Sequence, residues 1–130
     1  MIVDSSALLA ILLEEPEGHR FDVTMLRSGV CLISSATLLE ASMILQSRRG
    51  RNGVIDLDQL ILRFGIEVLP FTESQALIAR QAFERYGKGR HPAGLNFGDC
   101  MAYAAAKESG EELLFKGTDF GLTDIAIAAY

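Results

Sequence analysis

Four short apolar runs rich in branched side chains, Ile2 to Val3, Val30 to Ile33, Ile66 to Leu69 and Leu113 to Phe115, punctuate this chain. Between them lie longer segments whose apolar residues recur at three- and four-residue steps: Ala7 to Glu14, Gly18 to Arg27, Leu38 to Arg48, Leu57 to Phe64, Glu73 to Tyr86 and Phe97 to Glu108. Such alternation predicts an α/β fold, because parallel strands can be joined only by long crossovers, which are usually helices. Thr72 with Gln75 forms a capping-box pattern at the start of the fifth helix, and Gly87 is placed to end it. A last strand is expected within Ile125 to Ala129. The stretch YGKGRHPAGLN, with three glycines and a proline, is the one long irregular loop.

At 130 residues the chain fits one domain, residues 1–130, with enough length to bury a core unaided. Hydrophobic residues at 49% and charged residues at 22% are the usage of a globular domain. Cys31 and Cys100 have no C-x-x-C spacing, which suits packed thiols in a reducing cytosol rather than a disulfide framework or a zinc site. The longest apolar run, Ala7 to Leu13, is too short to span a membrane, and no basic leader precedes it, so a cytoplasmic protein without membrane contact is expected. A net charge of −5 disfavours non-specific nucleic-acid binding. Five of the twelve Lys and Arg nevertheless cluster as Arg48, Arg49 and Arg51 and as Lys88 and Arg90, where they can form a basic rim or simply a solvated surface.

Four acids occupy comparable places in this pattern. Asp4 stands where the first strand should end, at the carboxyl edge where open α/β sheets bind ligands. Glu40 lies in the opening turns of the helix after the second strand, Asp99 in the opening turn of the helix begun by NFGDC, and Asp119 just beyond the fourth strand. Each also has a purely structural explanation: Asp4 as a helix cap, Thr37 with Glu40 as a capping box, Asn96 with Asp99 as cap and first-turn acid, Asp119 in a turn. Parallel topology, however, delivers strand ends and helix starts to one edge, so the four can converge. Two carboxylates about 4 Å apart repel by roughly 4 kcal/mol at an effective dielectric near 20, so a shared pocket needs a cation. Lys116 is the nearest basic neighbour of Asp119 in sequence, and no base accompanies all four. Hard oxygen ligands select Mg²⁺ or Mn²⁺, which supply the chemistry of phosphodiester or phosphomonoester hydrolysis.

Other chemistries lack their parts. There is no G-x-S-x-G elbow, no phosphate-binding Walker loop and no G-x-G-x-x-G after the first strand. His19 and His91 are isolated. A signalling receiver domain shares this size and an acidic pocket, but expects an acidic pair after the first strand and an aspartate after the third. Here Ser5 follows Asp4, and the third run ends EVLP.

The strings IVDSSALLAILLEEPE, SSATLLEASMIL, YGKGRHPAGLNFGDCMAYAAAK and LLFKGTDFGLTDI together resemble PIN-domain ribonucleases, specifically the VapC toxins of bacterial VapBC toxin–antitoxin pairs. The resemblance implies a three-layer α/β/α domain with a central parallel sheet of four or five strands and activity as an Mg²⁺- or Mn²⁺-dependent endoribonuclease. It implies Asp4 and Asp99 as principal metal ligands, Glu40 and Asp119 completing the cluster, and Ser6 and Asn96 as supporting residues. It further implies a transfer or ribosomal RNA substrate, a homodimer, and a VapB-like antitoxin that reaches into the acidic groove. A PIN domain that only binds a partner is the alternative, disfavoured by the presence of all four acids. RNA would be read by the two basic stretches, with Tyr86 or Phe120 as stacking partners or, more simply, as core. Thr118 stands where relatives often carry an acid or amide, and Asp124 reads as a structural turn residue.

Overall fold

In the computed structural model, which describes residues 1–130, the elements run β1 (Ile2–Val3), α1 (Ser5–Leu12), α2 (Gly18–Ser28), β2 (Leu32–Ser34), α3 (Ser35–Phe64), β3 (Glu67–Leu69), α4 (Glu73–Tyr86), α5 (Phe97–Ser109) and β4 (Leu113–Leu114). A 3-10 turn follows at Asp119–Leu122. All strands pair in parallel, in the order β3-β2-β1-β4. That order excludes the receiver alternative, whose flavodoxin-like sheet puts the first strand between the second and third. Here β1 is flanked by β2 and β4. The strand expected over Ile125 to Ala129 is reduced to one bridge, Leu113 with Ile127, because β4 is only two residues long and offers a neighbour no longer ladder.

Strands this short still separate two cores, since successive side chains on a strand point to opposite faces. Val3, Ile33 and Leu114 join Phe21, Met25, Leu45 and Leu57 beneath α1, α2 and α3. Ile2 and Leu113 join Tyr86, Leu95, Tyr103 and Phe120 on the side of α4 and α5. The result is the three-layer α/β/α arrangement. Each such buried Leu, Ile or Phe contributes roughly 1.5–3 kcal/mol, so the two cores hold the sheet as a plate between them. Both cysteines are free and buried, Cys31 in one core and Cys100 in the other. No helix is long and apolar enough to cross a membrane.

Helix ends follow local chemistry. Thr72 caps α4 by accepting from Gln75 N–H at 3.2 Å, but the reciprocal half of the expected box is absent: the Gln75 amide donates instead to Glu108 on α5, at 2.8 Å. Gly87 ends α4 with extended rather than left-handed backbone. Its requirement is steric, since a Cβ there would lie 2.2 Å from the Phe83 carbonyl oxygen. The long loop is tethered by Lys88 N–H to Leu95 O and Leu95 N–H to Tyr86 O, each at 3.0 Å.

The two helices expected over Leu38 to Arg48 and Leu57 to Phe64 are halves of one element, α3. RRGRN stays helical apart from Gly50, at φ 61° and ψ −148°, where the axis breaks. Arg48, Arg49 and Arg51 therefore lie exposed on a broken helix, not on a loop. Because that backbone conformation is open essentially to glycine alone, Gly50→Ala should lower the unfolding free energy by about 1–3 kcal/mol in urea titration. Unchanged stability would mean that the break moves elsewhere.

Candidate active site

Asp4 is fixed from both sides. Its backbone N–H donates to Leu114 O at 2.9 Å, extending the β1–β4 ladder by one step. Its carboxylate caps α1, accepting from Ser6 N–H at 3.0 Å and from Ser6 Oγ at 2.5 Å. Only 4% of the residue is exposed. Ser6 Oγ in turn accepts from Lys116 N–H at 2.9 Å, which joins the Asp4 turn to the chain leaving β4. Ser6 is thus a cap and a bridge at once.

Glu40 projects from α3 toward the same edge. The expected capping box with Thr37 does not form, because Ser34 caps this helix from one residue before its start, accepting from Ala36 N–H at 3.3 Å. Thr37 is buried in the first turn instead, its hydroxyl without a partner. Glu40 Oε2 accepts from Ser5 Oγ at 2.8 Å, and its carboxylate lies against Gly98, where a Cβ would come within 2.0 Å of Oε1. Sequence reasoning missed both contacts. The recoverable signal was a glycine in the first turn of a helix that otherwise has no use for one.

Asp99 and Asn96 cap α5 reciprocally. Asp99 N–H donates to Asn96 Oδ1 at 2.9 Å, and Asn96 N–H donates to Asp99 Oδ2 at 2.8 Å. One carboxylate oxygen is committed to the cap, and the other is not. Asp119 opens the 3-10 turn and is exposed.

Electrostatics join the four. Burial, more than any other cause, pushes the Asp4 carboxyl above its ordinary value; Ser6 pulls it back, and the charge of Glu40 adds to the rise. Burial likewise raises Asp99, with the Asn96 N–H opposing and the charges of Asp4 and Asp119 adding to it. Asp4 senses Glu40, and Asp99 senses both Asp4 and Asp119. No cation of the chain's own relieves this repulsion: the Lys116 ammonium is held by Glu15 at 2.7 Å and Glu17 at 3.4 Å.

The donors are hard carboxylate and hydroxyl oxygens, the set that suits Mg²⁺ or Mn²⁺. No three carboxylates close into a ready ligand cage. A small ion that keeps several of its waters needs only one or two carboxylates directly.

Around the acids, the simpler of the two aromatic readings holds. Tyr86 and Phe120 are 5% and 3% exposed and belong to the core, so neither can stack on a base. Phe97, two residues before Asp99 at the start of α5, is 81% exposed. It helps line an apolar cleft of about 410 Å³ between α4 and α5, with Phe71, Phe83, Met101 and Arg80. Arg90 of the second basic stretch lies over the Phe83 ring at 5.5 Å. His91 Nδ1 accepts from Ala93 N–H at 3.1 Å, a loop-holding role, and His19 is exposed beside Glu14, Glu15 and Asp22.

A carboxyl raised on folding contributes stability that is full below its unfolded value and lost as pH climbs through its folded one. With an ordinary value of 3.8 for Asp4, the metal-free Asp4→Asn protein should melt above the parent at pH 7, with the gap closing below about pH 4. Asparagine caps as well as aspartate, so the cap survives. Melting curves in chelator across that range check this, and a gap independent of pH would contradict it.

The family described as PIN domain matches residues 1–126. Ribonuclease VapC30 of Mycobacterium tuberculosis is 44% identical over 129 residues, 99% of this chain and 98% of that protein. Among solved structures, VapC20 of Mycobacterium tuberculosis, described as a sarcin–ricin loop cleaving toxin, superposes with a TM-score of 0.79 at 17% identity, covering 98% of this chain and 97% of that one. VapBC2 of Rickettsia felis, bound to a DNA fragment from its promoter, gives 0.75 at 15% identity, covering 98% and 96%. At such identities the structural likeness speaks for the fold, and the sequence matches over nearly the whole chain speak for descent. The chain belongs to the VapC ribonuclease family of PIN-domain proteins.

Proposed function

We propose that this protein is the toxin of a type II toxin–antitoxin pair, a metal-dependent endoribonuclease acting on cytoplasmic RNA. The observation that carries the reading is the Asp4 carboxylate, buried at the end of β1 beside the Ser5-held Glu40 and near enough to Asp99 for its charge to be felt there, while the neighbouring Lys116 ammonium is taken by Glu15 and Glu17. Identity of 44% across a whole VapC ribonuclease supports the reaction class.

In this reading Asp4 and Asp99 hold Mg²⁺ or Mn²⁺, and Glu40 and Asp119 complete the acidic rim. The ion, when bound, supplies an acidic water and polarises a phosphoryl oxygen. The chain's own contribution is to orient. Ser6 locks one Asp4 oxygen by two hydrogen bonds, leaving the other for ligation. Asn96 does the same for Asp99 through its backbone N–H. Ser5 and Gly98 aim Glu40 between them. Such supporting contacts typically matter by about 10–100-fold in metal affinity or activity. A structured transfer or ribosomal RNA is the proposed substrate, with Arg48, Arg49, Arg51, Lys88 and Arg90 available to its phosphates.

The partner in this reading is a VapB-like antitoxin, whose basic side chain would enter the acidic rim and supply the missing positive charge. The active unit is proposed to be a homodimer, which light scattering of the purified chain would count.

Purified protein freed of antitoxin should cut labelled structured RNA with Mg²⁺ or Mn²⁺ and stop with chelator. Asp4→Asn and Asp99→Asn should each lower the rate by about 100-fold or more while remaining folded. Undiminished cleavage by both variants would overturn the assignment. Sequencing RNA ends after brief expression identifies the target.

A further inference from the structure

The turn that carries Asp119 has little of its own to hold it. Its backbone hydrogen bonds are local, Gly121 N–H to Thr118 O at 3.1 Å and Thr123 N–H to Phe120 O at 3.0 Å. Thr123 Oγ1 donates to the same Phe120 carbonyl at 2.7 Å. Apolar anchoring comes from Phe120, whose ring meets Phe115 with centroids 4.9 Å apart, and from the partly buried Ile125. Polar anchoring between Gly117 and Ile125 comes from Asp124 alone.

Asp124 is gripped at three points. Tyr103 Oη donates to Oδ1 at 2.6 Å, Lys107 Nζ donates to Oδ2 at 3.0 Å, and Arg85 Nη1 of α4 lies 3.5 Å from Oδ2. Asp99, Tyr103 and Lys107 follow one another at four-residue steps on α5, so they share one stripe of that helix. The helix that presents the third acid thus also grips the turn that presents the fourth.

We propose that Asp124 is a positioning residue: held by Tyr103 and Lys107, it hangs the Asp119 turn on the α5 stripe that presents Asp99 and fixes the separation of the two acids. The inference rests on the ribonuclease reading only for what that separation is used for. An exposed ion pair contributes little to global stability. A four-residue turn with no ladder of its own, however, takes its position from the contacts that cross to the scaffold: here the buried Phe120 ring, the Ala126 and Ala128 backbone bonds to Leu113 just downstream, and Asp124, its hydrogen-bonded link to α5. Tyr103 is 5% exposed, so its hydroxyl gains from a fixed acceptor there and cannot turn freely to water.

The test uses Tyr103→Phe, which keeps the ring, and Asp124→Ala, with Asp124→Asn as a milder change. In metal-free protein, amide exchange over residues 118–123 should quicken by about tenfold or more in the first two, while the core helices keep their protection. Unchanged exchange in the turn overturns the proposal. In RNA cleavage, the Mn²⁺ concentration for half-maximal rate should rise by about tenfold, and saturating Mn²⁺ should restore most of the rate. In an Asp119→Asn background, Asp124→Ala should add nothing, because the residue it positions is already disabled. Full additivity there, or a general loss of melting temperature without a selective change in the turn, assigns Asp124 a merely structural role. If the parent protein cleaves no RNA with either ion, the ribonuclease reading fails, while the exchange experiment still decides whether Asp124 holds the turn.

Discussion

Everything at this sheet edge is organised around a carboxylate buried at the end of the central strand. Asp4 is nearly inaccessible, flanked by β2 and β4, and its side chain begins a helix. Burying a charge is unfavourable unless hydrogen bonds or counter-charge compensate it. Ser6 supplies two hydrogen bonds, and the positive end of the α1 dipole adds a favourable field. These suffice to keep the group in place but do not cancel the effect of burial, since its pKa remains raised. Carboxyls perturbed in this way cluster at functional sites, which supports the role proposed for Asp4.

The other acids repeat this compromise in different ways. Asp99 is satisfied on one side by a reciprocal cap and sits at the positive end of α5. Glu40 is farther along its helix, beyond the help of the dipole, and relies on Ser5 and the absence of a side chain at Gly98. Asp119 is solvated on a short turn. Two caps, one sterically framed glutamate and one exposed aspartate thus give a graded rim, buried at Asp4 and open at Asp119. In the proposed reaction, substrate phosphate and a hydrated ion would approach from the open side, where water can still exchange.

The alternation of β-rich runs with helical periods was enough to predict the layers and the parallel sheet, because binary pattern and crossover length are local properties. The four candidate acids were chosen for the same reason: strand ends and helix starts in a parallel fold share an edge. Local pattern was misleading where two local solutions compete. Thr37 and Glu40 match a capping box, but Ser34 starts the helix three residues earlier and leaves Thr37 buried. Gln75 matches its box equally well, but Glu108 on the neighbouring helix takes its amide. Tyr86 and Phe120, by contrast, follow the simpler reading as core residues, packed against Tyr103 and Phe115.

By itself, the sequence determined the fold class and marked Asp4, Glu40, Asp99 and Asp119 as candidates at strand ends and helix starts, since periodicity, cap chemistry and residue type are all written within a few positions of each other. Tertiary structure alone decided which oxygen of each acid is already committed, that Gly98 makes room for Glu40, that Lys116 turns to Glu15 and Glu17 rather than to the site, and that Asp124 ties the last turn to α5. Those are contacts between residues tens of positions apart. Their partners are selected by how helices pack across the sheet, a distance in space that no local spacing encodes.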